Sequence, residues 1–135
     1  MFEPLKILVV DDFEVVRSML KNALLDMGVT LVDEAGDGRE ALAKIESAHA
    51  AGKLYDVIFC DWNMPEISGL EVIEACRNKE AFKNLPIIMV TAEAEKENIV
   101  KALKAGATDY IVKPIAPPLL ETRLKKILKT TKVAA

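Results

Sequence analysis

Polar residues that can do chemistry stand directly after short apolar runs of this chain. They are Asp11, Asp12, Asp61, Thr91 and Lys113. Short runs rich in β-branched and aromatic residues predict strands that are buried on both faces of a parallel sheet. Because the carboxyl ends of parallel strands meet at one edge, where ligands bind, these side chains are predicted to share one cleft.

Three carboxylates in one cleft repel one another, and they stay ionised together only if a cation lies among them. Oxygen ligands of this type suit a hard ion such as Mg²⁺. With the ammonium of Lys113 and the hydroxyl of Thr91 opposite, the cleft suits a phosphoryl group, and Asp61 is placed for in-line attack on phosphorus. The chain contains no G-x-x-x-x-G-K loop for a nucleotide. The residues therefore predict an aspartate that receives a phosphoryl group from another molecule.

Strands and helices are predicted to alternate along the chain. Apolar runs predict strands at Leu5–Val10, Leu31–Ala35, Asp56–Cys60, Ile87–Val90 and Tyr110–Val112. Helices are predicted to begin at Glu14, Asp37, Ser68, Glu95 and Pro117. Asp37 and Ser68 are each followed three residues later by Glu, which is the spacing of a capping box. Such alternation requires parallel pairing with right-handed crossovers, so a doubly wound α/β sheet with helices on both faces is predicted.

Apolar residues spaced three and four apart predict the buried face of each helix. The first helix, Glu14–Met27, is predicted to bury Val16, Met19, Leu20, Ala23, Leu24 and Met27. The third is predicted to bury Leu70, Ile73 and Cys76, and the fourth, Glu95–Ala105, to bury Ile99, Val100 and Leu103. Gly28 and Gly106 are predicted to end the first and fourth helices.

The composition is typical of one soluble domain. About half of the 135 residues are apolar, which suffices for one core, so a single domain over residues 1–135 with its core at about 5–129 is predicted. A net charge of −3 gives no basic field, and direct binding of nucleic acid is not expected. No apolar run reaches the ~18–20 residues of a membrane span, and Met1–Pro4 does not begin a signal peptide. Cys60 and Cys76 lack framework spacing and are expected to be reduced, so a cytoplasmic location is predicted.

Four motifs at predicted strand ends together resemble a known family. They are Val10-Asp11-Asp12-Phe13, Asp61-Trp62-Asn63-Met64-Pro65, Thr91-Ala92 and Tyr110-Ile111-Val112-Lys113-Pro114. In this order they resemble the receiver domains of two-component response regulators, and most closely the chemotaxis regulators, over nearly the whole chain. The resemblance implies a flavodoxin-like fold with five helices and a five-stranded parallel sheet in the order 2-1-3-4-5.

The resemblance also implies how the acids act. Asp61 would be the phosphoacceptor, phosphorylated by a histidine kinase or a phosphotransfer protein. Asp12, the Asp61 carboxylate and the backbone carbonyl of Asn63 would hold Mg²⁺, and Asp11 would assist through water. Receivers catalyse their own phosphorylation and dephosphorylation only, so the protein is not expected to be an enzyme in the usual sense.

Further roles follow from the same resemblance. Thr91 and Lys113 would bind the phosphoryl oxygens, and Tyr110 would swing inward as Thr91 moves. Asn63 and Glu93 stand two residues after Asp61 and Thr91, where receivers tune the lifetime of the phosphoryl group. Both residues are equally consistent with solvent-facing loops. Because Asn63 is neutral and would not repel an attacking water, a short-lived phosphoryl form is expected.

Two features near the end of the fifth strand are also expected from the family. The Lys113–Pro114 bond is expected to be cis, an arrangement that is accessible almost only before proline. Ile115 stands where many receivers have phenylalanine, close to the expected output face. This difference can tune the choice of partner.

Phosphorylation adds roughly 1.5–2 negative charges and strong acceptor oxygens. The face made by the fourth helix, fifth strand and fifth helix is expected to change its preferred partner as a result. That partner is predicted to be a flagellar motor switch or a phosphatase, and the protein is predicted to be a monomer. A place in a phosphorelay, or excision from a longer regulator, remains an alternative.

Two other functions compete with the receiver. Phosphatases of the haloacid dehalogenase class also use a strand-end Asp with Mg²⁺, but they need a second acid two residues later, where this chain has Asn63. A flavodoxin-like cofactor binder is the other alternative, but acids in the pocket would repel a flavin phosphate unless a metal intervened.

Overall fold

The computed structural model describes the backbone of residues 5–134 and the side chains of residues 5–129. The strands are β1 Lys6–Val10, β2 Leu31–Ala35, β3 Val57–Cys60, β4 Ile87–Thr91 and β5 Asp109–Val112. The helices are α1 Glu14–Asp26, α2 Gly38–Ala50, α3 Gly69–Arg77, α4 Lys96–Ala105 and α5 Pro117–Ala134. Neighbouring strands pair in parallel in the order β2-β1-β3-β4-β5, so the predicted flavodoxin-like fold and its strand order are confirmed.

The sheet is covered on both faces because alternate residues of each strand point to opposite sides. One face, with Ile7 and Phe59, packs against α1 and α5. The other face, with Leu8 and Ile58, packs against α2, α3 and α4. The inner strands β3 and β4 are buried along their whole length, as is usual in a parallel sheet with helices on both sides. The residues that follow these two strands are therefore positioned by the rigid core.

Side-chain caps fix the starts of α2 and α3. The Ser68 hydroxyl accepts a hydrogen bond from the Glu71 N–H while the Glu71 carboxylate accepts one from the Ser68 N–H, so the predicted capping box is complete. At α2, the Asp37 carboxylate accepts from the Glu40 N–H at 2.7 Å. The Glu40 carboxylate accepts instead from the Gly36 N–H, one residue earlier than a capping box requires. This contact ties the end of β2 to α2.

The prediction that α1 buries Met19 is wrong, since this side chain is 64% exposed. The fully buried residues of α1 are Leu20 and Leu24. Met19 lies beside them and, with Val16 and Ile115, lines an apolar groove of 490 Å³ between α1 and the start of α5. Periodicity shows which residues share a helix face, but not how much of that face the neighbouring helix covers.

The prediction for α4 is wrong in the same way for two residues. Val100 and Leu103 are 41% and 45% exposed, and Ala102 is the buried residue of the helix. Ile99 is partly buried against the same core, so the buried stripe of α4 runs through Ile99 and Ala102 and leaves the other two side chains in solvent. In α3, Leu70 is only half-buried, whereas Val72, which was not predicted to face inward, is buried.

α5 begins at Pro117, as the paired prolines predicted, and it is the longest helix with 18 residues. Among its side chains up to residue 129, the buried ones are Leu120, Leu124 and Ile127. Charged residues separate these apolar positions, so the helix is amphipathic. Within residues 5–134, no helix is both long enough and apolar enough to cross a membrane.

Candidate functional site

Asp61 lies at the carboxyl edge of the sheet, directly after β3. Its N–H donates to the Val10 carbonyl at 2.9 Å, which joins its backbone to the end of β1. Its Oδ1 accepts from the Trp62 N–H at 2.7 Å, and its Oδ2 accepts from Lys113 Nζ at 3.3 Å. The residue is only 6% exposed. The carboxylate is therefore nearly desolvated, and a backbone N–H and an ammonium donate to it.

The first turn of α3 packs directly on the Asp61 backbone. A Cβ atom added at Gly69 would lie 2.0 Å from the Asp61 carbonyl oxygen. The Gly69 N–H also donates to the Trp62 carbonyl at 2.8 Å. Since real Cβ atoms do not approach an oxygen so closely, only glycine permits this contact.

The acidic pair Asp11-Asp12 forms the turn between β1 and α1. Asp11 is buried, and its N–H donates to the Ala35 carbonyl of β2 at 3.1 Å. Its Oδ1 accepts from the Phe13 N–H at 2.9 Å, and its Oδ2 accepts from Lys113 Nζ at 2.6 Å. One carboxylate thus stabilises the turn and binds the ammonium.

Lys113 completes the cleft from β5. Its N–H donates to the Thr91 carbonyl at 2.9 Å, and its peptide bond to Pro114 is cis, as the family resemblance implied. The ammonium pairs with both Asp11 and Asp61 and is largely buried. The residues that follow β1, β3 and β5 therefore meet at one edge of the sheet, as predicted.

Burial raises the pKa of Asp61, and the charge of Asp11 acts in the same direction. A hydrogen bond with the Thr91 hydroxyl and the charge of Lys113 lower this pKa, but they do not restore its ordinary value. Burial alone would lower the pKa of Lys113. The hydrogen bond to Asp11 and the charge of Asp61 outweigh burial and hold the pKa of Lys113 above its ordinary value.

The donor set of the cleft fits a divalent cation. One carboxylate oxygen from each of Asp11, Asp12 and Asp61 lies within 4.8 Å of the others. Asp12 Oδ1 is buried and has no hydrogen-bond partner among the described residues. A buried carboxylate oxygen without a partner is costly, and coordination by a cation removes that cost. Oxygen donors of this kind, few in number and partly open, are those that Mg²⁺ uses.

Hydrogen bonds join Thr91 to Tyr110 through the loop after β4. Thr91 is buried, and its Oγ1 accepts from the Glu93 N–H at 3.3 Å. The Tyr110 hydroxyl donates to the Glu93 carbonyl at 2.7 Å. Burial raises the pKa of Tyr110 to about 12, so its hydroxyl remains a donor at neutral pH. Tyr110 is buried in this structure.

The two residues expected to tune lifetime differ in their surroundings. Asn63 has an exposed side chain in the loop between β3 and α3. The Glu93 carboxylate accepts from the Asn98 side chain of α4 at 3.0 Å. Asn98 was not among the predicted site residues, and its position in a polar stretch of α4 gave no signal.

The sequence analysis also missed Arg17 and Gly69. The Arg17 guanidinium donates to the Asp11 carbonyl at 2.7 Å, and it pairs with Glu34 of β2. An arginine inside an otherwise apolar helix face was the only sequence signal for this contact. The sequence placed Gly69 at the start of a helix but gave no indication of its contact with Asp61.

A five-stranded parallel sheet with acids, a threonine and a cis Lys-Pro pair at its carboxyl edge defines a response regulator receiver domain. The sequence model of that family, described as the response regulator receiver domain, matches residues 7–125. The chain belongs to this family, as its motifs indicated. Receiver domains are signalling domains rather than classical enzymes, and they bind Mg²⁺ at an acidic site, which the cluster of aspartates matches.

Within the family, the chain is similar to chemotaxis proteins. It is 41% identical over 125 residues to the chemotaxis protein CheY of Pseudomonas aeruginosa, covering 93% of this chain and 97% of that protein. The structure of Vibrio cholerae CheY4 has a TM-score of 0.81 at 39% identity and covers 91% of this chain and 98% of that one. A complex of CheX and CheY with BeF3 and Mg from Borrelia burgdorferi contains a chain that matches with a TM-score of 0.84 at 26% identity. The match covers 93% of this chain and 90% of that one.

Proposed function

We propose that this receiver is a phosphoacceptor whose Asp61 takes a phosphoryl group from a histidine kinase or a phosphotransfer protein. The observation that carries the proposal is a buried carboxylate facing an ammonium, beside an aspartate oxygen that has no partner among the described residues. An Asp61 oxygen forms a bond to phosphorus while the bond between phosphorus and the donor's histidine nitrogen breaks. The electron pair of the broken bond leaves with that nitrogen.

The side chains around Asp61 suit this transfer. Asp12, Asp61 and the Asn63 carbonyl would hold Mg²⁺, with Asp11 assisting through water. When bound, the ion supplies positive charge that offsets the charge of the phosphoryl oxygens. Lys113 supplies a second, fixed positive charge, and the Thr91 hydroxyl donates a hydrogen bond to the incoming group.

We propose that Thr91 and Tyr110 carry the signal away from Asp61. When the Thr91 hydroxyl is drawn toward the phosphoryl group, its Oγ1 moves away from the Glu93 N–H, which donates to it at 3.3 Å in this structure. The loop after β4 then adjusts, and Tyr110 moves with it because its hydroxyl donates to the Glu93 carbonyl. Asn63 and Glu93 flank the pocket and would set how long the phosphoryl group survives.

The face formed by α4, β5 and α5 is the proposed output surface. Val100, Leu103 and Val112 are exposed apolar residues on these elements. The Borrelia relative was solved with CheX, BeF3 and Mg together. This supports a partner that binds the receiver when its acidic site is occupied. A flagellar motor switch or a phosphatase is the proposed partner for this chain. Only a partner with different affinities for the two states can shift the equilibrium between them.

We further propose that residues 1–135 form one monomeric domain that acts in the cytoplasm. Cys60 and Cys76 are free and buried, which suits a reducing compartment. Burial raises the pKa of the Cys76 thiol to about 11, so it does not react readily.

Trp62 provides the test, because it is the only tryptophan and its backbone N–H donates to Asp61. Its fluorescence is recorded during addition of Mg²⁺ and then of acetyl phosphate, with Asp61→Asn as the control. The expected result is a saturable response to Mg²⁺ and a second change on acetyl phosphate that the variant lacks. Intact-mass measurement should show one added phosphoryl group on the wild type only.

The same experiment separates the possible failures. A saturable Mg²⁺ response with no added phosphoryl group would contradict the proposal that Asp61 is a phosphoacceptor for small donors. No response to Mg²⁺ would contradict the metal site itself. The recovery rate after removal of acetyl phosphate tests the expected short lifetime of the phosphoryl form.

A further inference from the structure

Arg17 links the acidic turn to the edge of the sheet. It lies in the first turns of α1, and its side chain is 18% exposed. Nη1 donates to the Asp11 carbonyl at 2.7 Å, and Nε pairs with Glu34 Oε1 at 3.3 Å. The two bonds are donated by different nitrogen atoms of the same planar guanidinium. They therefore fix its orientation more firmly than a single bond would.

The other bonds to Asp11 are made by its N–H, which donates to Ala35, and by its carboxylate, which pairs with Lys113; neither involves its carbonyl. The N-cap of α1 is Phe13, which makes no side-chain capping hydrogen bond. The Asp11 carboxylate accepts from the Phe13 N–H, so this acid is used to hold the turn that also presents it. The Arg17 contact is therefore the charge-assisted bond that fixes the Asp11 carbonyl from outside the turn.

We infer that Arg17 is a positioning residue that sets the Mg²⁺ affinity of the acidic cleft by holding the Asp11-Asp12 turn. The inference rests on the proposed function, since it assumes that this cleft binds Mg²⁺. Outer partners of metal ligands orient those ligands, and their loss typically lowers metal affinity about 10–100-fold. Among the described residues, Arg17 bonds the backbone of the turn and no carboxylate of the cleft, so its positioning effect on the ligands passes through the backbone.

Positioning and charge predict opposite results at this residue. The guanidinium is positive and lies near the cleft, so its charge by itself opposes a divalent cation. If charge alone mattered, removal of Arg17 would tighten Mg²⁺ binding. If Arg17 positions the turn, its removal weakens Mg²⁺ binding despite the lost repulsion. The sign of the change therefore separates the two roles.

Lys21 offers a matched control on the same helix. It pairs with the other carboxylate oxygen of Glu34 at 3.4 Å, and among the described residues it contacts Glu34 and not the Asp11 turn. Lys21→Met thus removes a positive charge from the same ion-pair group but leaves the turn intact. Val29→Ala adds a second control, because it weakens the core beyond the end of α1 without touching the cleft.

The experiment measures the dissociation constant for Mg²⁺ alone, from Trp62 fluorescence and from calorimetry, in the full chain. For Arg17→Met the constant is expected to rise at least about ten-fold. Lys21→Met and Val29→Ala are expected to match the wild type. Arg17→Lys keeps the charge but cannot form both bonds, so its constant should fall between those of the wild type and Arg17→Met.

The inference is overturned if Arg17→Met binds Mg²⁺ as tightly as the wild type or more tightly, or if Lys21→Met is weakened equally. Urea unfolding of the metal-free proteins checks that each variant is folded. If Arg17→Met does not fold, Arg17→Lys decides the matter, since unchanged binding would overturn the inference and weaker binding would support it. A wild type that binds no Mg²⁺ would instead contradict the proposed function.

Discussion

Asp61 holds its negative charge where the fold disfavours it. Burial and the neighbouring Asp11 raise its pKa more than Lys113 and Thr91 lower it. At pH values above that raised pKa, ionisation of Asp61 therefore costs folding free energy in the metal-free protein. Below the ordinary pKa of 3.8 the group is protonated in both the folded and the unfolded state, and this cost disappears.

Asp61→Asn is therefore expected to be more stable than the wild type at pH 7 without metal. The difference should shrink as the pH falls toward 4, because the wild-type carboxylate becomes protonated. Urea unfolding of both proteins across this range, in buffer with a chelator, measures the effect. Addition of Mg²⁺ should narrow the difference at pH 7. A wild type that is the more stable protein at pH 7 without metal would show that Lys113 outweighs burial.

Glu66 is strained in the loop between β3 and α3. Its φ of 66° lies in the left-handed region, which costs roughly 1–2 kcal/mol for most L-residues and less for Asn. Its ion pair with Arg39 joins two side chains that are 72% and 76% exposed, and such pairs contribute little.

Glu66→Asn is expected to stabilise the protein by about 0.5–1 kcal/mol in urea unfolding, because asparagine tolerates this backbone conformation. Glu66→Gln is the matched control, since it removes the ion pair but keeps the strain, and it should leave stability nearly unchanged. If both variants lose stability equally, the ion pair matters more than the backbone.

At the level of secondary-structure elements, α3 is the helix that constrains the phosphoacceptor most closely. Its first residue, Gly69, meets the Asp61 carbonyl so tightly that a Cβ atom has no room. Gly52, in the connection after α2, has a φ of 80° but nothing within 4 Å of an added Cβ. Substitution of Gly69 thus tests the effect of a steric contact, and substitution of Gly52 tests the effect of backbone conformation alone.

Gly69→Ala is expected to lower stability by about 2–3 kcal/mol or more, because either α3 or the Asp61 loop must move. It should also weaken Mg²⁺ binding as measured by Trp62 fluorescence. Gly52→Ala is expected to cost about 1 kcal/mol from its backbone conformation alone and to leave Mg²⁺ binding unchanged. Equal losses in the two variants would mean that α3 adapts to the extra methyl group.

For the molecule as a whole, metal binding and folding are linked. A ligand that binds only the folded state stabilises it by mass action, by about 2.7 kcal/mol at a concentration of 100 times the dissociation constant. Asp12 contributes the oxygen that lacks a partner among the described residues. Mg²⁺ is therefore expected to raise the melting temperature of the wild type, and Asp12→Asn should lose most of that rise. Equal stabilisation of the variant would place the ion elsewhere.

The elements and the edge of the sheet could be predicted from local pattern. Asp61 follows an apolar run too short for a helix, and Asp11 and Lys113 end two others, so their meeting at one edge followed from parallel pairing alone. The capping residue Ser68 marked the start of α3 equally well, because a cap is a contact within a few residues. Contacts of this kind can be predicted because the residues that make them are close together in the sequence.

Tertiary packing decided the remaining features. Met19 and Leu103 satisfy the helical spacing but lie largely in solvent, since the width of a buried stripe depends on which neighbours lie against it. The contact of Arg17 with Glu34 joins α1 to β2, and the hydroxyl of Tyr110 reaches the Glu93 carbonyl 17 residues away. The sequence by itself determined the fold and the acids that meet at its edge. Only the packed structure determined which groups hold those acids in place, because such bonds depend on distances between elements that no single stretch of chain contains.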